Sequence, residues 1–201
     1  LLTHLQDLAA KPLFDDFVRA HAVVAIGRVI DRNGLQPDPE IVKALCRLLR
    51  RDKSAHVQRS AVIALGTIFR DKGDAADPEA LKELRAELAA GKVDNMAQNY
   101  AAIALGHIGG VEAFNALRSA VQKERAQLLA YSGLGLAVLC DALRDQREDE
   151  AAATRRIQGL SQLRATFQNC SNPQLKGGLA IALGIARDLE AGPTLLAEMK
   201  A

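Results

Sequence analysis

Apolar residues in this chain recur at helical spacing, and no segment alternates like a strand. Between residues 41 and 51 they fall at Ile41, Ala44, Leu45, Leu48 and Leu49, one face of a 3.6-residue period. The stretch from Ala80 to Ala90 has the same pattern. Each is preceded by a start signal, Asp38-Pro39-Glu40 and Asp77-Pro78-Glu79. These supply a capping Asp, a Pro at the first helical position and an acid in the first turn. Helices are therefore predicted over Ile41–Arg51 and Ala80–Ala90, with Gly91 closing the second. Ser54 and Asp94 are predicted to cap the helices that follow, which end near Asp71 and Gly109-Gly110.

Those following helices are apolar all round, and they repeat. Ala22-Val23-Val24-Ala25-Ile26-Gly27 returns as Ala61-Val62-Ile63-Ala64-Leu65-Gly66, as Ala101-Ala102-Ile103-Ala104-Leu105-Gly106 and as Leu179-Ala180-Ile181-Ala182-Leu183-Gly184. Ser132-Gly133-Leu134-Gly135-Leu136-Ala137 is a degenerate copy. Steps between the final positions are 39, 40, 31 and 47 residues. A helix without a polar face is buried on several sides, as when the second helix of a hairpin packs on its partner and on both neighbouring repeats. Small first and fourth positions let helices approach. A mid-helix Gly costs about 1 kcal/mol against Ala, so its recurrence predicts close backbone contact with an adjacent helix. The long last step implies an insertion at the charged run Arg144 to Glu150, read as a solvated link or a lengthened helix end.

The sequence resembles bacterial HEAT-repeat proteins, including the PBS-lyase HEAT-like group. Their second helix reads as an acid followed by V-R-x-x-A-x-x-A-L-G-x-I. Asp15-Asp16-Phe17-Val18-Arg19 with Ala22, Ala25, Ile26, Gly27 and Val29 follow it. So do Asp52, Val57, Ala61, Ala64, Leu65, Gly66 and Ile68, with Gln58 in the Arg slot. Asp94, Ala101, Ala104, Leu105, Gly106 and Ile108 match with Gln98 there; later copies carry Leu129 and Lys176. The resemblance implies an all-α, right-handed solenoid of about five hairpins. Repeats are expected near 1–34, 35–73, 74–110, 111–144 and 145–190, with a partial one over 191–201. Both ends lie inside a helical pattern, so the chain is expected to be a segment of a larger protein.

Composition adds exclusions. Five Phe, two Tyr and no Trp leave the apolar content to Ala, Leu, Ile and Val. Lys and Arg number 26 against 24 Asp and Glu, a balance that gives no pull toward nucleic acid. Cys46, Cys140 and Cys170 are widely spaced, and the four histidines occur singly, so neither a metal site nor a disulfide framework is indicated. No apolar run is long enough to span a bilayer. Gly133-x-Gly135 follows no strand and reads as packing.

Function is expected in the variable columns beside the hexamer, because such arrays bind partners along the concave face of their second helices. The residue before each hexamer gives His21, Ser60, Tyr100, Tyr131 and Gly178. The one before that gives Ala20, Arg59, Asn99, Ala130 and Gly177, and the residue after it gives Arg28, Thr67, His107, Val138 and Ile185. The candidate partner-binding residues are therefore His21, Arg28, Arg59, Asn99, Tyr100, His107 and Tyr131. A non-catalytic scaffold for a protein or peptide, with no cofactor, is the expected function. Two alternatives are a groove enzyme similar to phycobilin lyases and weak nucleic-acid binding through Arg47, Arg50, Arg51, Lys53 and Arg59. The resemblance to deoxyhypusine hydroxylases, whose iron sites use His-Glu pairs, does not extend to this chain, which has no His-Glu dipeptide. Trp-dependent DNA glycosylases of the same repeat type are disfavoured by the absence of Trp.

Overall fold

A computed structural model describes residues 2–11, 14–90, 95–123, 127–146 and 148–200. Gly91, Asp94 and Arg147 of the charged run lie outside them. The described elements are α-helices and short 3-10 turns, with no strand among them. Antiparallel hairpins follow in chain order: α1 (Leu2–Ala10) with α2 (Asp16–Arg32), α3 (Pro39–Arg51) with α4 (Ala55–Ile68), and α5 (Pro78–Ala89) with α6 (Asn95–Ile108). Then come α7 (Gly110–Lys123) with α8 (Gln127–Ala142), α9 (Glu150–Asn169) with α10 (Pro173–Ile185), and a last short helix α11 (Gly192–Glu198). The molecule is an all-α solenoid.

Local chemistry sets the helix starts. Asp15, Asp38 and Asp77 each accept a backbone N–H of the first turn, from Phe17 (2.8 Å), Glu40 (2.8 Å) and Ala80 (3.0 Å). Asp149 and Asn172 do the same for α9 and α10. Ser54 occupies the cap position of α4, but its hydroxyl makes no capping bond. Asp52 accepts the Ser54 N–H at 2.9 Å instead, so the acid of the repeat motif organises this start. The insertion is resolved into the 3-10 turn Leu143–Asp145, a short link and the 20-residue α9.

Each second helix packs on the next, α2 on α4, α4 on α6, α6 on α8 and α8 on α10, more extensively than the first helices pack on one another. Small residues make this possible. A Cβ on Gly27 would fall 2.9 Å from the Ala64 Cα, and one on Gly66 would fall 2.6 Å from the Ala104 Cβ. At Gly106 it would overlap the Gly135 carbonyl. The glycines are thus explained by backbone contact in the first three copies. Gly184 is different, because a Cβ there meets nothing within 4 Å. The second helices are therefore the more tightly packed layer of the array.

The outer layer of first helices is held by polar contacts. Arg50 of α3 donates to Glu83 of α5 at 3.1 Å, Arg85 of α5 to Glu112 of α7, and Arg118 of α7 to Gln158 of α9 at 3.2 Å. Between the layers, Arg19 donates from Nε to the Ala9 carbonyl at 3.2 Å and grips Asp52 with both terminal nitrogens. This pair is buried and joins α1, α2 and the start of α4. The Arg slot of one repeat therefore bonds the acid of the next.

Gly66→Ala is expected to destabilise the fold by about 1–3 kcal/mol through overpacking. Gly184→Ala is expected to stabilise it by about 0.5–1 kcal/mol through helix propensity. Urea denaturation measures both, and effects of the same sign would contradict the packing account.

Candidate functional site

Helical spacing decides which side chains the second helices leave open. The first, second and fifth residues of the hexamer face neighbouring helices: Ala22, Val23 and Ile26, Ala61, Val62 and Leu65, and Ala101, Ala102 and Leu105 are all buried. The third residue is not. Val24, Ile63, Ile103 and Leu134 are half-buried, and Ile181 is 61% exposed. Three residues earlier stand His21, Tyr100 and Tyr131, and four later stand Arg28, Thr67, His107, Val138 and Ile185. These spacings place all of them on one helix face.

The open face therefore carries an aliphatic ridge, Val24–Ile63–Ile103–Leu134–Ile181, with polar and aromatic side chains on either flank. Near its start the rings of Phe17 on α2 and His56 on α4 stand 4.4 Å apart across two repeats. Sequence reasoning named the flanking columns and missed the ridge, because it treated the whole hexamer as buried. The signal was present: residues 21, 24 and 28 follow the i, i+3, i+7 spacing of a single face.

The predicted residues divide. His21 and Arg28 are exposed on this face, and Tyr100, Tyr131 and His107 are half-buried on it. Both tyrosines rest their rings on the core. Ser60, in the His21 column, is buried. The column one residue earlier turns toward the next repeat, since a Cβ on Gly178 would lie 2.7 Å from that of Ala130. Asn99 in that column is 0% exposed and belongs to the contact between repeats, and Arg59 is half-buried.

Burial, reinforced by the charge of Arg70 and opposed by Asp71, pushes the His107 imidazole below its ordinary 6.5. Asp71 holds a left-handed φ of 58° and donates its N–H to the His107 carbonyl at 2.9 Å, fixing the end of α4 to α6. Burial, with the carboxylates of Glu79, Glu83 and Asp77, pushes the Cys46 thiol up to about 12; burial does the same to Cys140. Both thiols are packing groups away from the open face. In the basic patch, Arg50 is tied to Glu83 at 3.1 Å and Glu79 at 3.7 Å, while Arg47, Arg51 and Lys53 are exposed. Among the described residues no group of three or more His, Cys, Asp or Glu side chains is placed to hold a metal ion, and no helix is long and apolar enough to cross a membrane.

Residues 4–98 match the family described as HEAT repeats. That stretch carries HEAT repeats. The hairpins beyond residue 98 continue the stacking of the matched ones. An engineered protein of known crystal structure shares the fold, with a TM-score of 0.51 at 18% identity over 92% of this chain and 78% of that one. Human deoxyhypusine hydroxylase, solved in complex with glycerol, aligns at 23% identity over 98% of this chain and 66% of its own, with a TM-score of 0.41. No curated protein matches the sequence.

The His107 shift has a sign that can be checked. A histidine with a lowered folded pKa contributes stability that is complete above about pH 6.5 and is lost as pH falls through the folded value. The urea midpoint of the protein should therefore drop between about pH 7.5 and 5.5, and less steeply in His107→Gln. Identical pH dependence in the two proteins would refute the assignment.

Proposed function

We propose that this HEAT array is a non-catalytic binding module that holds a protein or peptide along the concave face of its second helices. The observation that carries the reading is the aliphatic ridge from Val24 to Ile181, partly open in every repeat. A solvent-facing apolar row that persists across repeats costs solubility and is characteristic of an interaction surface. Tyr100 and Tyr131 flank it with large, half-seated rings whose hydroxyls can pair with a partner, and Tyr is enriched among residues that dominate binding energy. His21, Arg28 and His107 supply a polar rim. The third position carries a large aliphatic side chain that is partly open in all five hexamers, and packing alone does not require an aliphatic there.

The fitting partner is an extended or helical segment with apolar side chains spaced to fall between successive ridge residues. Partner retention by the immobilised chain tests this. Tyr131→Ala or Ile103→Asp should weaken binding about tenfold or more, equivalent to about 1.4 kcal/mol, and Lys82→Ala on the outer layer should leave it unchanged. Full retention of the partner by Tyr100→Ala, Tyr131→Ala and Ile103→Asp would sink the assignment.

A further inference from the structure

The fourth and fifth hairpins meet around a 3-10 turn, a long helix and a left-handed residue. α8 runs into the 3-10 turn Leu143–Asp145, α9 is 20 residues long, and α10 is followed by Arg187 with a left-handed φ of 52°. Gly34 and Gly109 hold comparable positive φ after α2 and α6, where a residue without Cβ does so at no steric cost. Between the 3-10 turn, α9 and Arg187 opens a cleft of about 630 Å³, within the range of ligand sites.

Its polar groups are unequally satisfied. Arg187 reaches Asp141 at 3.4 Å, and Arg164 bonds Asp188 and Glu190. Arg156 lacks such a partner: no carboxylate of the described residues lies within ion-pair distance of it. Its Nη2 donates to the Ala186 carbonyl at 3.4 Å, and its buried Nε has no acceptor. A half-buried guanidinium without a counter-ion is costly, and its planar fork matches a carboxylate. Beside it, the Asp188 side chain is 3% exposed and gives Oδ1 to Arg164 at 3.4 Å, while its buried Oδ2 accepts no hydrogen bond. The cleft is thus lined by a guanidinium that no carboxylate of the described residues pairs. Ile157, 64% exposed, and Leu189, 91% exposed, form apolar walls.

We propose that this cleft captures the C-terminal carboxylate of a peptide ending in an aliphatic residue. The terminal carboxylate pairs with the Arg156 guanidinium, and the aliphatic side chain lies between Ile157 and Leu189. A carboxylate and an aliphatic side chain occur together, at one residue's spacing, at the end of such a peptide. The exposure of both walls leaves an open side through which the rest of the peptide leaves. The site stands apart from the second-helix face, so either can fail without the other.

Calorimetric titration of the full chain with N-acetyl-Gly-Gly-Leu tests the proposal. One saturable site is expected, weakened about tenfold or more when the peptide carries a C-terminal amide. Arg156→Gln should weaken it by a similar factor, and Lys82→Ala on α5 should leave it unchanged. If Arg156→Gln fails to fold, Ile157→Asp at an exposed position gives the same readout. Equal affinity for acid and amide, binding of free leucine without binding of the peptide, or no heat of binding up to about 5 mM peptide would each overturn the proposal.

Discussion

At Gly27 and Gly66 a single methyl group would fall 2.9 and 2.6 Å from the neighbouring second helix, so adjacent helices touch there with almost nothing between them. Much else follows from this closeness. It packs Ala64, Ala104 and Gly135 against the preceding glycine and excludes water from the inner layer. Because each second helix is gripped on two sides and backed by its own hairpin partner, only one narrow face remains open. That face carries the third hexamer position and the residues three before and four after it.

The two layers are held by different physics. Between second helices the contact is apolar and depends on shape, so a change of one methyl is felt. Between first helices it is a series of surface-level bonds from Arg50, Arg85 and Arg118, each reaching the following repeat. The exposed Arg85–Glu112 pair contributes little to stability, whereas Arg50 reaches the buried Glu83. Arg19 joins the layers in one buried place, where its bonds to Ala9 and Asp52 satisfy most of its donors. Later repeats replace it with Gln58, Gln98, Leu129 and Lys176, and Lys176 instead bonds Glu198 and lies over the Phe167 ring. The inner apolar contact is therefore the common element, and the buried charge pair is a local addition.

The fold was legible in the chain because the hexamer combines period, composition and an otherwise unfavourable Gly, and packing explains all three. Asp38 and Asp77 were readable as caps because Pro follows each. Ser54 was readable as the cap position of α4, but its hydroxyl makes no capping bond, and Asp52 accepts its N–H. The open face was half legible. Tyr100 and Tyr131 stood out by type, but the ridge was hidden by being as aliphatic as the core, and Asn99 was misplaced by one residue of helical rotation. The cleft around Arg156 and Asp188 was not legible at all. It depends on a helix end, a 3-10 turn and a left-handed arginine converging from separate hairpins, and no sequence period links them.

The account rests on steric contact between Gly66 of one second helix and Ala104 of the next, and a double-mutant cycle isolates it. Ala104→Gly introduced into Gly66→Ala removes the methyl that the new Cβ would meet, so urea denaturation should recover at least half of the stability lost by Gly66→Ala, with a coupling of about 1 kcal/mol or more. Strict additivity of the two substitutions would contradict the claim that close approach at these small residues sets the architecture.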